Sequence, residues 1–193
     1  MDLTEGTIKE KNDRAKRMML WFGIGSLIMS FAGLTSAVLV SKKRIDWMHD
    51  FAMPNAFLIS CIIIICSSIT FILAKRALQN NNRSLTTSML LLTFGLGIAF
   101  IVSQFYGFQQ IVDSGYYFTG ESSNVTMSFL YVIAAVHILH VVAGLISLLV
   151  VIYNHFKQKY SATELLGMEL SATFWHFIDI LWIFLFLFLS YLV

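Results

Sequence analysis

The sequence predicts an all-α polytopic membrane protein built as a bundle of five transmembrane helices, with the N-terminus cytoplasmic and the C-terminus periplasmic. Three observations predict it. Of 193 residues, 58% are hydrophobic and only 12% charged, against roughly 25% charged in an ordinary soluble domain. Spanning a bilayer takes about 20 predominantly apolar residues, and five segments qualify, at about 18–40, 54–74, 85–105, 127–153 and 170–193. Positive charge is distributed unevenly between them. Lys9, Lys11, Arg14, Lys16 and Arg17 precede the first span, Lys75, Arg76 and Arg83 lie between the second and third, and Lys157 and Lys159 lie between the fourth and fifth, ten residues on one side against Lys42, Lys43 and Arg44 on the other. The positive-inside rule puts the richer side in the cytoplasm.

Residues 1–17 read as a polar cytoplasmic tail, and 18–193 as a single transmembrane domain with little left for a soluble one. The tail has neither the apolar core nor the small-residue cleavage site of a secretory signal, so the first span is expected to be retained. Gly23, Gly25 and Gly33 in span one, and Gly95 and Gly97 in span three, are small residues that let helices approach closely in lipid. Pro54 opens span two, where a helix tolerates a missing N–H. Cys61 and Cys66, five apart in that span, match neither a CxxC pair nor a zinc spacing and read as small buried hydrophobes. The short basic stretch 75–84 predicts an antiparallel hairpin of spans two and three. Residues 106–125 have no Lys or Arg, three glycines and five aromatics, the pattern of an ordered outer loop at the interface. Asn124-Val125-Thr126 matches a glycosylation sequon, a short match that carries little weight.

Spans four and five carry the residues that call for a function: His137, His140, Glu169, His176 and Asp179. An aspartate at a bilayer centre costs about 2.5–3.5 kcal/mol on insertion scales, so such groups face a bundle or cavity and need partners. His137, His140 and Gly144 fall on one narrow helix face. Glu169, His176 and Asp179 form a second stripe. Consecutive helices pair by default, and at 1.5 Å per residue His140 and Asp179 lie at depths of roughly 20 and 14 Å from the same side. Three chemistries use such residues. A metal or haem site is disfavoured by spacing, because histidines at i,i+3 cannot be opposed axial ligands of one haem and the paired Glu-x-x-His motifs of a di-iron bundle are missing. A proton path would be confined to the last hairpin, since the first three spans have no acidic side chain. The third reading is a set of interhelical hydrogen bonds, histidine to carboxylate, that fix the register of spans four and five. On that reading Asp179→Ala would strand a buried histidine.

The string His137-x-x-His140-Val141-x-x-Gly144, followed by Glu169-x5-Trp175-His176-Phe177-x-Asp179-x-x-Trp182, resembles the C-terminal signature of subunit III of the haem-copper terminal oxidases, the cytochrome c oxidase subunit III family. Ser67-Ser68-x-Thr70-x3-Ala74-x2-Ala77 with Asn80 to Asn82 and Arg83 resembles the family's second-to-third helix connection in its short, five-helix bacterial form. The resemblance implies five spans with N inside and C outside, as the charge pattern does. It further implies a non-catalytic accessory subunit of a respiratory oxygen reductase in the bacterial cytoplasmic (inner) membrane. Such a subunit packs on subunit I beside subunit II, in some cases within a larger supercomplex. It holds phospholipid in a V-shaped cleft between its first two and remaining helices and supports proton uptake. Haem and copper are then expected in the partner subunits and no cofactor in this chain, with membrane lipid and no nucleic acid among its partners. Two family carboxylate positions are occupied by Gly25 and Gln104, so a proton-antenna role through them is not expected. Two alternatives stay open: an accessory protein of a nitric oxide reductase, and a redox-active or transport protein that uses the histidines directly.

Overall fold

The computed structural model describes residues 7–45, 47–48, 53–120, 124–161 and 164–192. They form five helices and no strand: α1 (Ile8–Ser41), α2 (Asn55–Gln79), α3 (Arg83–Asp113), α4 (Val125–Phe156) and α5 (Leu166–Leu192). All five are long and apolar enough to cross a membrane, so the chain is a multi-pass membrane protein. Residues 1–6 of the expected tail, 121–123 of the expected outer loop and Val193 lie outside the described residues.

Each helix outruns its apolar stretch at one end or both. The basic stretch before span one is no separate tail from residue 8 onward but the first turns of α1. A capping box starts it, with the Thr7 hydroxyl accepting from Glu10 N–H and the Glu10 carboxylate accepting from Thr7 N–H at 2.8 Å. Lys, Arg, Glu and Ala then sustain it, being strong helix formers. Likewise α3 runs eight residues past the expected end of its span, and the turn after it is pinned to α4 where Tyr131 donates to Tyr116 O and Ser128 to Phe118 O.

Three helices end the same way, with a left-handed residue and a backbone bond five residues back, the Schellman arrangement. After α3 the left-handed residue is Gly115 (φ 87°). After α2 it is Asn81 (φ 56°), and Asn82 N–H donates to Ala77 O at 2.9 Å. After α4 it is Gln158 (φ 55°), with Lys159 N–H on Asn154 O. The Asn80-Asn81-Asn82 run thus ends one helix and caps the next, since the Asn82 side chain accepts from Leu85 N–H. Asn124 has the same office at α4, accepting from Thr126 N–H, so the sequon triplet is a helix start.

Helices α2 and α3 form the expected antiparallel hairpin, which closes against α5 and α4 into a four-helix bundle. Helix α1 stands outside it. Among the described residues α1 packs on α4 and α5 and makes no close backbone contact with α2 or α3, through a stripe of Ile24, Phe31, Thr35 and Val38. Among the described residues the first two helices therefore do not pair, and the expected cleft between them and the rest is not formed. The reason is charge and shape: Lys9 pairs with Glu164, Arg17 with Glu169 at 3.1 Å, and Phe31 sets its ring edge against His137 and His140. All these anchors are on α4, α5 or the segment joining them.

At the bundle centre Trp175 lies in a slot cut by two glycines. A Cβ at Gly97 would meet Trp175 and Leu145 atoms at 2.8 Å, and one at Gly144 would meet Trp175 at 3.1 Å. Around Gly23, Gly25, Gly33 and Gly95 there is nothing within 4 Å, so these expected contact glycines face outward. Gly97→Ala is expected to destabilise the protein by about 1–3 kcal/mol through overpacking, read as a fall in the thermal midpoint in detergent. Gly95→Ala, two residues away, should leave that midpoint where it is.

Candidate functional site

Two indoles on α5, Trp175 and Trp182, sit one heptad apart and are 1% and 2% exposed. Two hydroxyls on antiparallel α2, Ser67 and Ser60, sit one heptad apart facing them. Trp175 Nε1–H donates to Ser67 Oγ and Trp182 Nε1–H to Ser60 Oγ, both at 3.1 Å. Ser60 Oγ also accepts from Gln104 Nε2 of α3 at 2.8 Å, while its own proton goes back to Phe57 O. Ser67 donates to Thr93 O, and Thr70 and Thr93 hydroxyls meet at 2.8 Å. This polar seam joins α2, α3 and α5 through the middle of the bundle.

Trp182 also reaches α4. Its ring stacks on His137 with centroids 4.9 Å apart, and Phe100 meets it edge-on at 5.5 Å. His137 is fully buried in this aromatic box and neither ring nitrogen has a hydrogen-bond partner. His140, one turn on, donates from Nδ1 to Val136 O in its own helix at 2.7 Å.

The expected histidine–carboxylate fastener between spans four and five is not what the structure forms. His176 Nδ1 is bonded to Ser68 Oγ of α2. Asp179 is 3% exposed, and neither carboxyl oxygen has a hydrogen-bond partner. Glu169 is claimed by two cations, Lys75 of α2 at 3.0 Å and Arg17 of α1 at 3.1 Å. The helical phase placed Glu169, His176 and Asp179 on one side of α5 correctly, but that side faces α2. Two desolvated indole N–H groups need acceptors, and the hydroxyls that accept from them, Ser67 and Ser60, are on α2. The α4–α5 contact uses small groups instead: Gly144 under Trp175, and Ser147 donating to Ser171 at 3.0 Å. Between α2 and α5, a cavity of about 340 Å³ is lined by Phe71, Lys75, Arg76, Glu169, Thr173 and His176 among others.

Of the two positions without the family carboxylate, Gly25 faces outward on α1 while Gln104 is fully buried and part of the seam. Cys61 packs partly buried against the core, but Cys66 is exposed on the bundle's outer surface and is not the buried hydrophobe expected. Among the described residues no three of His, Cys, Asp and Glu converge as a metal ion requires. Ser60 and His155, the latter bonded through Nε2 to Thr87 at 2.9 Å, were not expected to matter. The Ser60/Ser67 heptad opposite the Trp175/Trp182 heptad is the signal that identifies the first.

The fold and seam define a multi-pass α-helical membrane protein whose inward polar groups hold helix to helix. Residues 44–193 match the family described as cytochrome c oxidase subunit III, and the chain belongs to that family. It is 32% identical to the cytochrome c oxidase subunit 3 of Spodoptera frugiperda over 143 residues, 72% of this chain and 88% of that protein. It is 30% identical to the cytochrome c oxidase subunit 3 of a Synechocystis species over 162 residues, 81% of this chain and 67% of that protein. With the cytochrome bo(3) ubiquinol oxidase subunit 3 of Pseudomonas putida it shares 28% over 135 residues, 70% of this chain and 64% of that protein. The chain spans about half the length of several other curated relatives it matches, 51% in one insect case.

Two stability outcomes follow from the seam. In a double-mutant cycle, Ser60→Ala and Trp182→Phe should couple by about 0.6–1.7 kcal/mol, the range for hydrogen bonds between membrane helices. Additive losses would mean that the pair is not bonded. Asp179→Asn should cost less than ~1 kcal/mol, because it deprives no neighbour of a partner, and a large fall in thermal midpoint would show that a bond to Asp179 exists.

Proposed function

We propose that this chain is the accessory subunit III of a respiratory haem-copper oxygen reductase in a bacterial cytoplasmic membrane, packed on subunit I beside subunit II, with its N-terminus cytoplasmic and C-terminus periplasmic. The observation that carries the proposal is the family match over residues 44–193, which takes in all of α2 to α5 and hence the whole seam. Relatives named for both cytochrome c and ubiquinol oxidases support the oxidase assignment without selecting a donor. Haem and copper belong to the partner subunits in this reading, and the buried histidines of this chain serve packing.

Bound phospholipid is part of the same proposal. A groove of about 390 Å³ runs between α1 and the α4–α5 pair, lined by Met19, Leu20, Leu170 and Phe174, with Lys16 at its edge. An acyl chain suits its walls, and the ammonium group suits an anionic headgroup. Support for proton uptake by the catalytic subunit, also proposed, would have to run through groups other than positions 25 and 104, which carry no carboxylate here.

Affinity purification of the tagged chain from its own membranes is the deciding measurement. Subunits I and II of an oxygen reductase should co-purify with haem absorbance, and phospholipid should be found by mass spectrometry after delipidating washes. Co-purification with a nitric oxide reductase would replace the proposal with its nearest relative. Haem or stoichiometric metal in the isolated chain would overturn it in favour of direct redox or transport chemistry.

A further inference from the structure

His140 sits at the centre of α4, 15 residues from Val125 and 16 from Phe156, so about 22–24 Å of helix separates it from either end. With a hydrocarbon core about 30 Å thick, neither water nor a lipid headgroup reaches that depth. The ring is half-buried beside Phe31 of α1, with centroids 5.8 Å apart. Its Nδ1 lies 2.7 Å from Val136 O, and a carbonyl only accepts, so Nδ1 carries the hydrogen. In the neutral ring Nε2 is then a bare acceptor. It has no partner among the described residues, and it opens at the bundle surface instead of being sealed inside like the two nitrogens of His137.

Hydroxyls on the outer surface settle their own needs, as Ser30 does by donating to Ser26 O and Ser88 by donating to Ser84 O. An imidazole cannot do the same. Its two nitrogens diverge across the ring, so a helix that satisfies Nδ1 through the carbonyl one turn back points Nε2 away from its own backbone. An acyl chain has no donor to offer, and an unpaired polar group in hydrocarbon is costly. The surface around Nε2 suits a helix. Ala143, one turn on, is exposed and small, which permits close approach of another backbone. Leu139 and Ile146 extend the same surface with apolar contact.

We infer that Nε2 of His140 accepts a hydrogen bond from a hydroxyl, indole or amide donor at mid-membrane on a transmembrane helix of another subunit, packed along the outer surface of α4 near its junction with α1. A second copy of this chain does not fit. Two such faces brought together would set acceptor against acceptor, with only Leu139, Ala143 and Ile146 around them. Apolar outward faces are alike in composition, and the histidine singles out the one that protein covers. The inference rests on the reading that the chain works within a multi-subunit oxidase, and it assigns the face that meets a partner there.

A benzophenone side chain introduced at Ala143, with His140 left intact, tests this in the cell's own membranes. Irradiation should join α4 to a transmembrane peptide of another oxidase subunit, with a Ser, Thr, Tyr, Trp, Asn or Gln within a turn of the attachment point. Adducts with lipid alone, or with a second copy of this chain, would overturn the inference. Co-purification of subunits I and II with a lipid-only adduct would overturn it and leave the oxidase reading standing, whereas a chain that purifies alone and takes up only lipid would lose both. In detergent, His140→Leu should speed loss of the cross-linked subunit by a factor of about 3–20, the equivalent of one hydrogen bond between membrane helices. His140→Gln, whose Oε1 falls near the place of Nε2, should restore retention. Unchanged retention in His140→Leu would also overturn the inference, and it decides the matter should the Ala143 variant not assemble.

Discussion

An indole N–H in the middle of a bilayer has no water to bond and must find an acceptor on another helix. Trp175 and Trp182 both sit on α5 and both find theirs on α2, in hydroxyls spaced as the indoles are spaced. That match sets the relative height of two helices that are not neighbours in the chain. Ser60 then draws in Gln104 from α3, and the Trp182 ring draws in His137 from α4. Apolar packing alone would not choose this register, because lipid tails solvate leucine and isoleucine as well as a neighbouring helix does.

Helix α1 is held by different means. Its apolar stripe of Ile24, Phe31, Thr35 and Val38 meets α4 and α5 inside the membrane, and ion pairs to Glu164 and Glu169 tie its first turns. Lys9 and Glu164 are exposed, so their pair adds little to stability. Glu169 differs in receiving a cation from α1 and another from α2, and so it links α1 to a helix with which, among the described residues, it makes no close backbone contact. The conspicuous acid of the last span thus binds three helices at their ends, not two at their centres.

Helix number and type were legible because a bilayer imposes a length and a composition that few other structures share. Turns were legible where one residue type has one use, as with the Asn80 to Asn82 run. Helical phase was legible too, since it placed Glu169, His176 and Asp179 together. Neighbours were not. Period says which face is polar and nothing about which helix it meets, and the consecutive-helix default pointed to α4 when the acceptors were on α2. Ser60 escaped notice for a physical reason: serine in an apolar helix can satisfy itself against its own backbone, as Ser30 does on Ser26 O. Composition alone does not separate that from a contact.

The order in which these contacts become available is the reverse of their importance. A ribosome delivers α2 and α3 early, with Ser60, Ser67 and Gln104 on one face, and delivers α5 last. Until then the two serines have their α2–α3 bonds but not the indoles they accept from, and α1 lacks α5, one of the two helices it packs on. The final helix is the one that joins the α2–α3 hairpin, α4 and α1 into a single bundle. Completion of the fold and completion of synthesis are thus nearly one event, and a shortened chain would advertise itself by the polar face it leaves uncovered.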